Sequence, residues 1–188
     1  VFNPELGKEV LDSLEDDNRR AAAIVKSLRS IFTEVDSNAE EVHLSSLIDK
    51  VLDIVKPELK SKNIQIQLSV DDELVIRVNS SEIEQVILNL LNNAIQALAN
   101  SGTLQRRILI DAIKDDQFIR LGISDNGTGV PTEFKSQLFE LLSTTKQTGM
   151  GLGLWLCKHI VTRYGGLIRY EDAVAGGARF VVELPSAS

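Results

Sequence analysis

The stretch "SSEIEQVILNLLNNAIQALA", Ser80–Ala99, places Ile83, Val86, Ile87, Leu90, Leu91, Ala94 and Leu98 at three- and four-residue steps. That spacing predicts a helix with one apolar stripe, which must lie on an equally apolar surface. Ser80 or Ser81 can cap it, and Ser81 followed by Glu84 has the form of a capping box. The flanking segments alternate with period two, as strands do. "IQIQLSV" and "LVIRV" precede the helix around the turn "DDE", and "RRILIDAI" and "QFIRLGIS" follow it as a hairpin across "KDD". Leu44–Val55 reads as an earlier amphipathic helix. "LGLWLCKHIVTRY" reads as a later one, broken by Gly165-Gly166, before two closing strands around "VAGG". A helix, then ββαββ, a loop and αββ implies an α/β (α+β) chain with a mixed sheet carrying helices on one face.

Upstream, Leu11, Leu14, Ala21, Val25, Leu28 and Phe32 form a heptad-like seam, interrupted by Asn18. This predicts a further helix, either a bundle partner or a helix folded onto its own domain. "EVDSNAEEV" reads as a polar linker, which puts a boundary near Asp36–Glu41 and divides the chain into 1–36 and 37–188. With 20 basic against 27 acidic residues the net charge is −7, which argues against nucleic acid as a partner. The single cysteine, Cys157, excludes a disulfide framework and fits a reducing, cytoplasmic setting. No run is long enough to span a membrane, so no direct membrane contact is expected. The chain begins in mid-pattern at Val1, as a fragment of something longer would.

Three motifs carry chemistry. In "NLLNNAIQAL", Asn89 and Asn93 share one helix face beside the apolar stripe. Asparagine is a poor helix former, so the pair is either a solvated polar face or a source of hard, neutral amide oxygens suited to magnesium. In "SDNGTGV", Asp125 closes a strand and is followed by Gly127 and Gly129. This is either an Asp/Gly turn or a carboxylate placed to accept from an exocyclic amine, with glycines that let a flat base come close. In "TTKQTGMGLGL", Gly149, Gly151 and Gly153 alternate and run into a helix, which makes a flexible loop or a phosphate cradle with Lys146 adding charge. Neither the dinucleotide fingerprint nor a P-loop is present.

In this order and on these elements, the motifs resemble the ATP-binding catalytic domain of sensor histidine kinases, within the fold shared with DNA gyrase, mismatch-repair ATPases and a heat-shock chaperone. "NLLNNA" is similar to the N box, "DNGTG" and "GMGLGL" to the two glycine boxes, "LFELLSTTK" to the F box and lid start, and "GGARF" to the last glycine motif. The resemblance runs from about Leu44 to Pro185. It implies a Bergerat fold: a two-layer sandwich of a mixed, mainly antiparallel five-stranded sheet on three helices, preceded by one long helix. It implies ATP and Mg2+ as ligands, with Asn93 on the metal and Asn89 beside it. Asp125 would hold the adenine amine, with Ala97, Gly127, Gly129 and Val130 lining the base pocket. Gly149, Met150, Gly151, Leu152 and Gly153 would approach the phosphates. Phe139, Thr144, Thr145 and Lys146 would belong to the lid and its anchor, with Lys146 grouped with Asn89 and Asn93 as catalytic. Leu142 and Ser143 depart from the F-box pattern, and Ala178 stands where threonine is common.

A histidine kinase also needs a phosphoacceptor histidine before an acidic residue. His43 precedes Leu44 and His159 precedes Ile160, so neither fits. "DDNRRAAAIVKSLRSIF" resembles the second helix of the dimerisation hairpin, which implies a histidine-bearing dimerisation domain, a response regulator receiver domain and a homodimeric full-length protein as partners. The runner-up is a stand-alone ATPase of the same fold, and a third reading is a regulatory module whose nucleotide site only holds shape. Hydrolysing relatives carry a glutamate four residues before the magnesium asparagine. That position here is Asn89, so hydrolysis should be slow.

Overall fold

The computed structural model describes residues 39–141 and 151–187. The helix expected upstream lies outside these. β1 (Glu40–His43) leads into α1 (Leu44–Ser61), followed by β2 (Ile64–Val70) and β3 (Val75–Val78). Then come α2 (Ser80–Ala99), β4 (Arg106–Asp115), β5 (Phe118–Asp125) and the single turn α3 (Thr132–Lys135). α4 (Gly153–Arg163), β6 (Leu167–Asp172) and β7 (Ala178–Pro185) complete the order. Five strands form one mixed sheet in the order β2-β4-β5-β7-β6, parallel only between β2 and β4. α1, α2 and α4 cover one face, with α2 between the other two. This is the expected two-layer arrangement.

Alternation sets the core. Ile119, Leu121 and Ile123 of β5, with Phe180, Val182 and Leu184 of β7, are buried on the helix side. They meet the α2 stripe, whose seven expected residues are all buried, together with Ile95. Full burial of each large aliphatic side chain contributes about 1.5–3 kcal/mol. The opposite face has no helix among the described residues. It is crossed instead by ion pairs joining Asp115, Arg120, Glu183, Arg169, Glu171, Arg179 and Asp111.

Three local expectations are corrected. Glu40–His43, read as part of a linker, is a strand paired antiparallel with β3. Its side chains are mostly exposed, so a polar composition does not oppose strand formation when the backbone finds a partner. α1 continues past Val55 through Pro57 to Ser61, its last turn held by the buried Leu59. At the start of α2 the cap is Asn79, whose side chain accepts from the Ser81 amide at 3.0 Å. The capping box is not used, and Glu84 pairs with Lys50 of α1 at 3.3 Å.

Glu82, at the start of α2, ties that helix to the end of α4. It receives Arg163 at 2.5 Å and the Tyr164 hydroxyl at 2.7 Å, and that hydroxyl accepts from the Asn79 amide at 3.0 Å. Burial, then donation to Glu82, pushes the Tyr164 phenol from the ordinary 10 up to about 12. Burial, then donation to Asp172, does the same to Tyr170. A raised phenol pKa contributes stability that is complete below pH 10 and lost as pH rises towards about 12. Neither of the two tyrosines should therefore show its tyrosinate absorption at pH 10 in the folded chain, whereas in denaturant about half should. Tyr164→Phe should remove part of the alkaline loss of stability.

Candidate functional site at the Asp125 end of the sheet

Asp125 ends β5 on the helix-facing side, following Ile119, Leu121 and Ile123, and is only 5% exposed. A carboxylate there must be hydrogen-bonded to remain buried. Its Oδ1 accepts from the Gly127 amide at 2.8 Å and faces the Ala178 amide of β7 at 3.4 Å. The chain can turn so tightly because Asn126 is fastened to the start of β4. Its side-chain oxygen accepts from the Arg107 amide at 2.8 Å, and its NH2 donates to the Gln105 carbonyl at 2.7 Å.

The glycines follow from what surrounds this carboxylate. A methyl at Gly127 would lie 2.9 Å from Asp125 Oδ1 and 3.5 Å from the Ala97 methyl. The turn therefore passes between the acid and α2, and needs small residues on both sides. Gly177, in the β6–β7 turn, has φ +86°, and a methyl on it would collide with the Asp125 carbonyl and lie 2.7 Å from the Gly127 amide. The last glycine motif thus closes directly onto the first. Ala178, noted in sequence for its missing hydroxyl, contributes its backbone N–H.

On α2, Asn89, Asn93 and Ala97 follow one another at four-residue steps, all half-buried. The Asn89 NH2 faces the Gly153 carbonyl at 3.5 Å and the Cys157 sulfur at 3.8 Å, which sets it against the start of α4. Burial pushes the Cys157 thiol up to about 12, so it stays protonated, the inert core thiol expected. α4 opens with Gly153 after Gly151, at φ +65°, and Leu152. It has no side-chain cap and no acidic residue in its first turn. The first-turn amides have no acceptor within the helix, an arrangement that favours an anion. Among the described residues no three His, Cys, Asp or Glu side chains gather into a metal-holding group. A divalent ion here would rest on amide oxygens and on the oxygens of a bound phosphate chain, a donor set that suits Mg2+.

Val130 packs against the core just beyond the glycines, and Phe139 meets Phe180 edge-on at 6.3 Å between ring centres. Phe180 in turn meets Tyr170 at 5.7 Å. The Tyr170 hydroxyl donates to Asp172 at 2.7 Å, and Lys135 holds both oxygens of the same carboxylate at 2.7 and 2.8 Å. The segment after α3 is thus fastened to the β6–β7 hairpin. Leu142, Ser143, Thr144, Thr145, Lys146, Gly149 and Met150 lie outside the described residues. His43, at 2.9 Å from the Asp72 carbonyl, and His159, stacked on Trp155 at 5.6 Å, take no part in the Asp125 cluster.

Asn126 and Gly177 stand within the motifs "DNGTG" and "GGARF", but the sequence alone assigns neither a role of its own. Their signals were present, in the Asn of "DNG" and the paired glycines of "VAGG". What they touch is set by strands far apart in the chain.

Residues 78–188 match the family model described as Histidine kinase-, DNA gyrase B-, and HSP90-like ATPase. The chain is 33% identical over 184 residues to Sensor protein FixL of Bradyrhizobium diazoefficiens, covering 96% of this chain and 36% of that protein. It is 29% identical to Sporulation kinase D of Bacillus subtilis, covering 92% of this chain and 34% of that protein. It therefore spans about a third of the length of these relatives. Among solved structures, the nucleotide-free catalytic domain of histidine kinase ThkA superposes with a TM-score of 0.71 at 28% identity, over 79% of this chain and 95% of that one. Histidine kinase ThkA in complex with response regulator protein TrrA gives 0.78 at 26% identity, over 100% of this chain and 53% of that one. The chain belongs to the histidine kinase-, DNA gyrase B- and HSP90-like ATPase family, and within it is similar to the catalytic domains of sensor histidine kinases.

Proposed function

We propose that residues 37–188 bind Mg-ATP and donate its γ-phosphoryl group to a histidine on a dimerisation hairpin, of which residues 1–36 form the end of the second helix. The observation that carries this reading is the buried Asp125 carboxylate, oriented by the Gly127 amide and closed in by Ala97 and Gly177. An acid so placed accepts a hydrogen bond from the adenine amine, while Gly127, Gly129 and Val130 leave room for the ring. Asn93, with Asn89 beside it, supplies amide oxygen to the metal or its waters. Bound Mg2+ would neutralise charge on the phosphates. The first-turn amides of α4 and the Gly149–Gly153 loop hold the phosphate chain, and Lys146 adds charge from the lid. A histidine nitrogen then bonds to the γ-phosphorus as the bond to the bridging oxygen breaks, and ADP leaves with that electron pair.

The two histidines of this chain are engaged elsewhere, so the acceptor is supplied by the dimerisation domain of a homodimeric, cytoplasmic kinase region. The phosphoryl group then passes to a receiver domain, consistent with the likeness to a kinase solved with its response regulator. No described helix is long and apolar enough to cross a membrane. The test supplies the chain with ATP and a separate histidine-bearing hairpin from a related kinase. Acid-labile phosphate should appear on the hairpin and not on the chain alone. Label on His43 or His159 would overturn the assignment.

Turnover separates this reading from a stand-alone ATPase. Asn89 occupies the position of the water-activating glutamate, and an amide cannot accept a proton at neutral pH. General-base assistance contributes about a hundred- to ten-thousand-fold, so phosphate release by the chain alone should be negligible. Steady release of several phosphates per minute, lost in Asn93→Ala, would favour the ATPase instead.

A further inference from the structure

Behind the Asp125 cluster, on the sheet face that no described helix covers, Arg179 reaches across two strands. Its Nη1 and Nη2 hold both oxygens of Asp111 on β4 at 2.6 and 2.7 Å, and Nη1 also donates to the Ser124 hydroxyl on β5 at 2.9 Å. Nε lies 3.6 Å from Glu171 on β6. The guanidinium lies over Gly122, where any Cβ would collide with it. The register makes this position specific, because Ser124 pairs with Arg179 and Asp111 with Gly122. Ser124 immediately precedes Asp125, and Arg179 immediately follows Ala178, the residue whose amide faces the Asp125 carboxylate. One side chain therefore locks β4, β5 and β7 together at the point where the acid and its backbone donor stand on the other face.

We propose that Arg179 is the positioning residue for the Asp125 carboxylate, and so sets the preference of the site for a base bearing an exocyclic amine. This rests on the reading that Asp125 receives the adenine amine. A forked, two-point ion pair defines direction as well as distance, which a single-point contact does not. A carboxylate that reads a base must be held to within about half an ångström, and such precision comes from the groups behind it. Gly122 is part of the device, since only a residue without a side chain leaves the guanidinium its path.

The experiment compares the affinities of the chain for ATP and for inosine triphosphate, which carries a carbonyl in place of the amine. In Arg179→Met, ATP affinity should fall roughly three- to tenfold while inosine triphosphate affinity is unchanged, so the preference collapses. Gly122→Ala should act in the same direction, displacing the guanidinium without removing a charge. Arg179→Lys should recover part of the preference. If Arg179→Met does not fold, Gly122→Ala decides by the same ratio. A fall in both affinities that leaves the ratio intact would overturn the proposal and leave Arg179 a purely structural role. Asp125→Ala keeps the two readings apart. If it abolishes the preference while Arg179→Met retains it, only the positioning role fails. If it too retains the preference, the adenine reading fails and this proposal falls with it.

Discussion

Asp125→Ala should weaken ATP binding about ten- to a hundredfold, the equivalent of a charged hydrogen bond worth roughly 1.5–3 kcal/mol. The fold should persist with reduced stability, because the Gly127 amide would lose its acceptor at 2.8 Å. A fully buried unsatisfied donor costs about 1–3 kcal/mol, and this part-buried amide should cost less. Asp125→Asn should be nearly as damaging to binding despite its similar shape. An asparagine that keeps its oxygen towards the Gly127 and Ala178 amides must turn its NH2 the other way, and two donors would then face each other at the adenine amine. Calorimetry with ATP and a melting curve read the two effects separately. Unchanged affinity in both variants would remove Asp125 from the base site.

Gly177→Ala should do more damage than any other single methyl added near the site. Its φ of +86° strains any L-residue, and the added methyl would collide with the Asp125 carbonyl. That neighbour is backbone within a central strand, so it cannot swing aside as a side chain would. Strain and overpacking together should cost about 2–4 kcal/mol of stability. Moving the turn would also pull the Ala178 amide away from Asp125, so ATP affinity should drop by more than about tenfold. Gly176 provides the control, with φ +83° but nothing within 4 Å of an added methyl. Gly176→Ala should lose about 1–2 kcal/mol from strain alone and keep its affinity for nucleotide. Equal effects of the two substitutions, read by denaturant unfolding and calorimetry, would show that the contact with Asp125 is immaterial.

The second expectation depends on a contact between Asp125, at the end of β5, and Gly177, in the turn before β7, residues brought together only through the sheet. The local elements were legible because their signals are local. The three- and four-residue spacing from Ile83 to Leu98 can bury one stripe only as a helix, and the alternation in "IQIQLSV" or "ARFVVELP" can bury one face only as a strand. The three motifs were legible for a similar reason, since asparagines within a helix or a carboxylate followed by glycines disfavour the regular structure around them. Their joint meaning came from resemblance to a known family.

Pairing was not legible. β3 follows β2 after a short turn, yet β2 pairs in parallel with β4 while β3 pairs with a strand that composition assigned to a linker. Nothing in "LVIRV" chooses between those partners, because backbone hydrogen bonds carry no residue identity. The choice is made by which apolar side chains reach the core together, as Ile76 and Val78 do here. By itself, then, the sequence determined the elements other than β1, their order, the apolar stripe of α2 and the chemical groups at the site. The tertiary structure alone decided that Gly177 closes on Asp125, that Asn126 fastens the turn to β4, and that Arg179 stands behind them. These contacts join residues up to 68 positions apart, as between Asp111 and Arg179. Short-range periodicity holds no information over such distances, so only the packed core can bring the residues together.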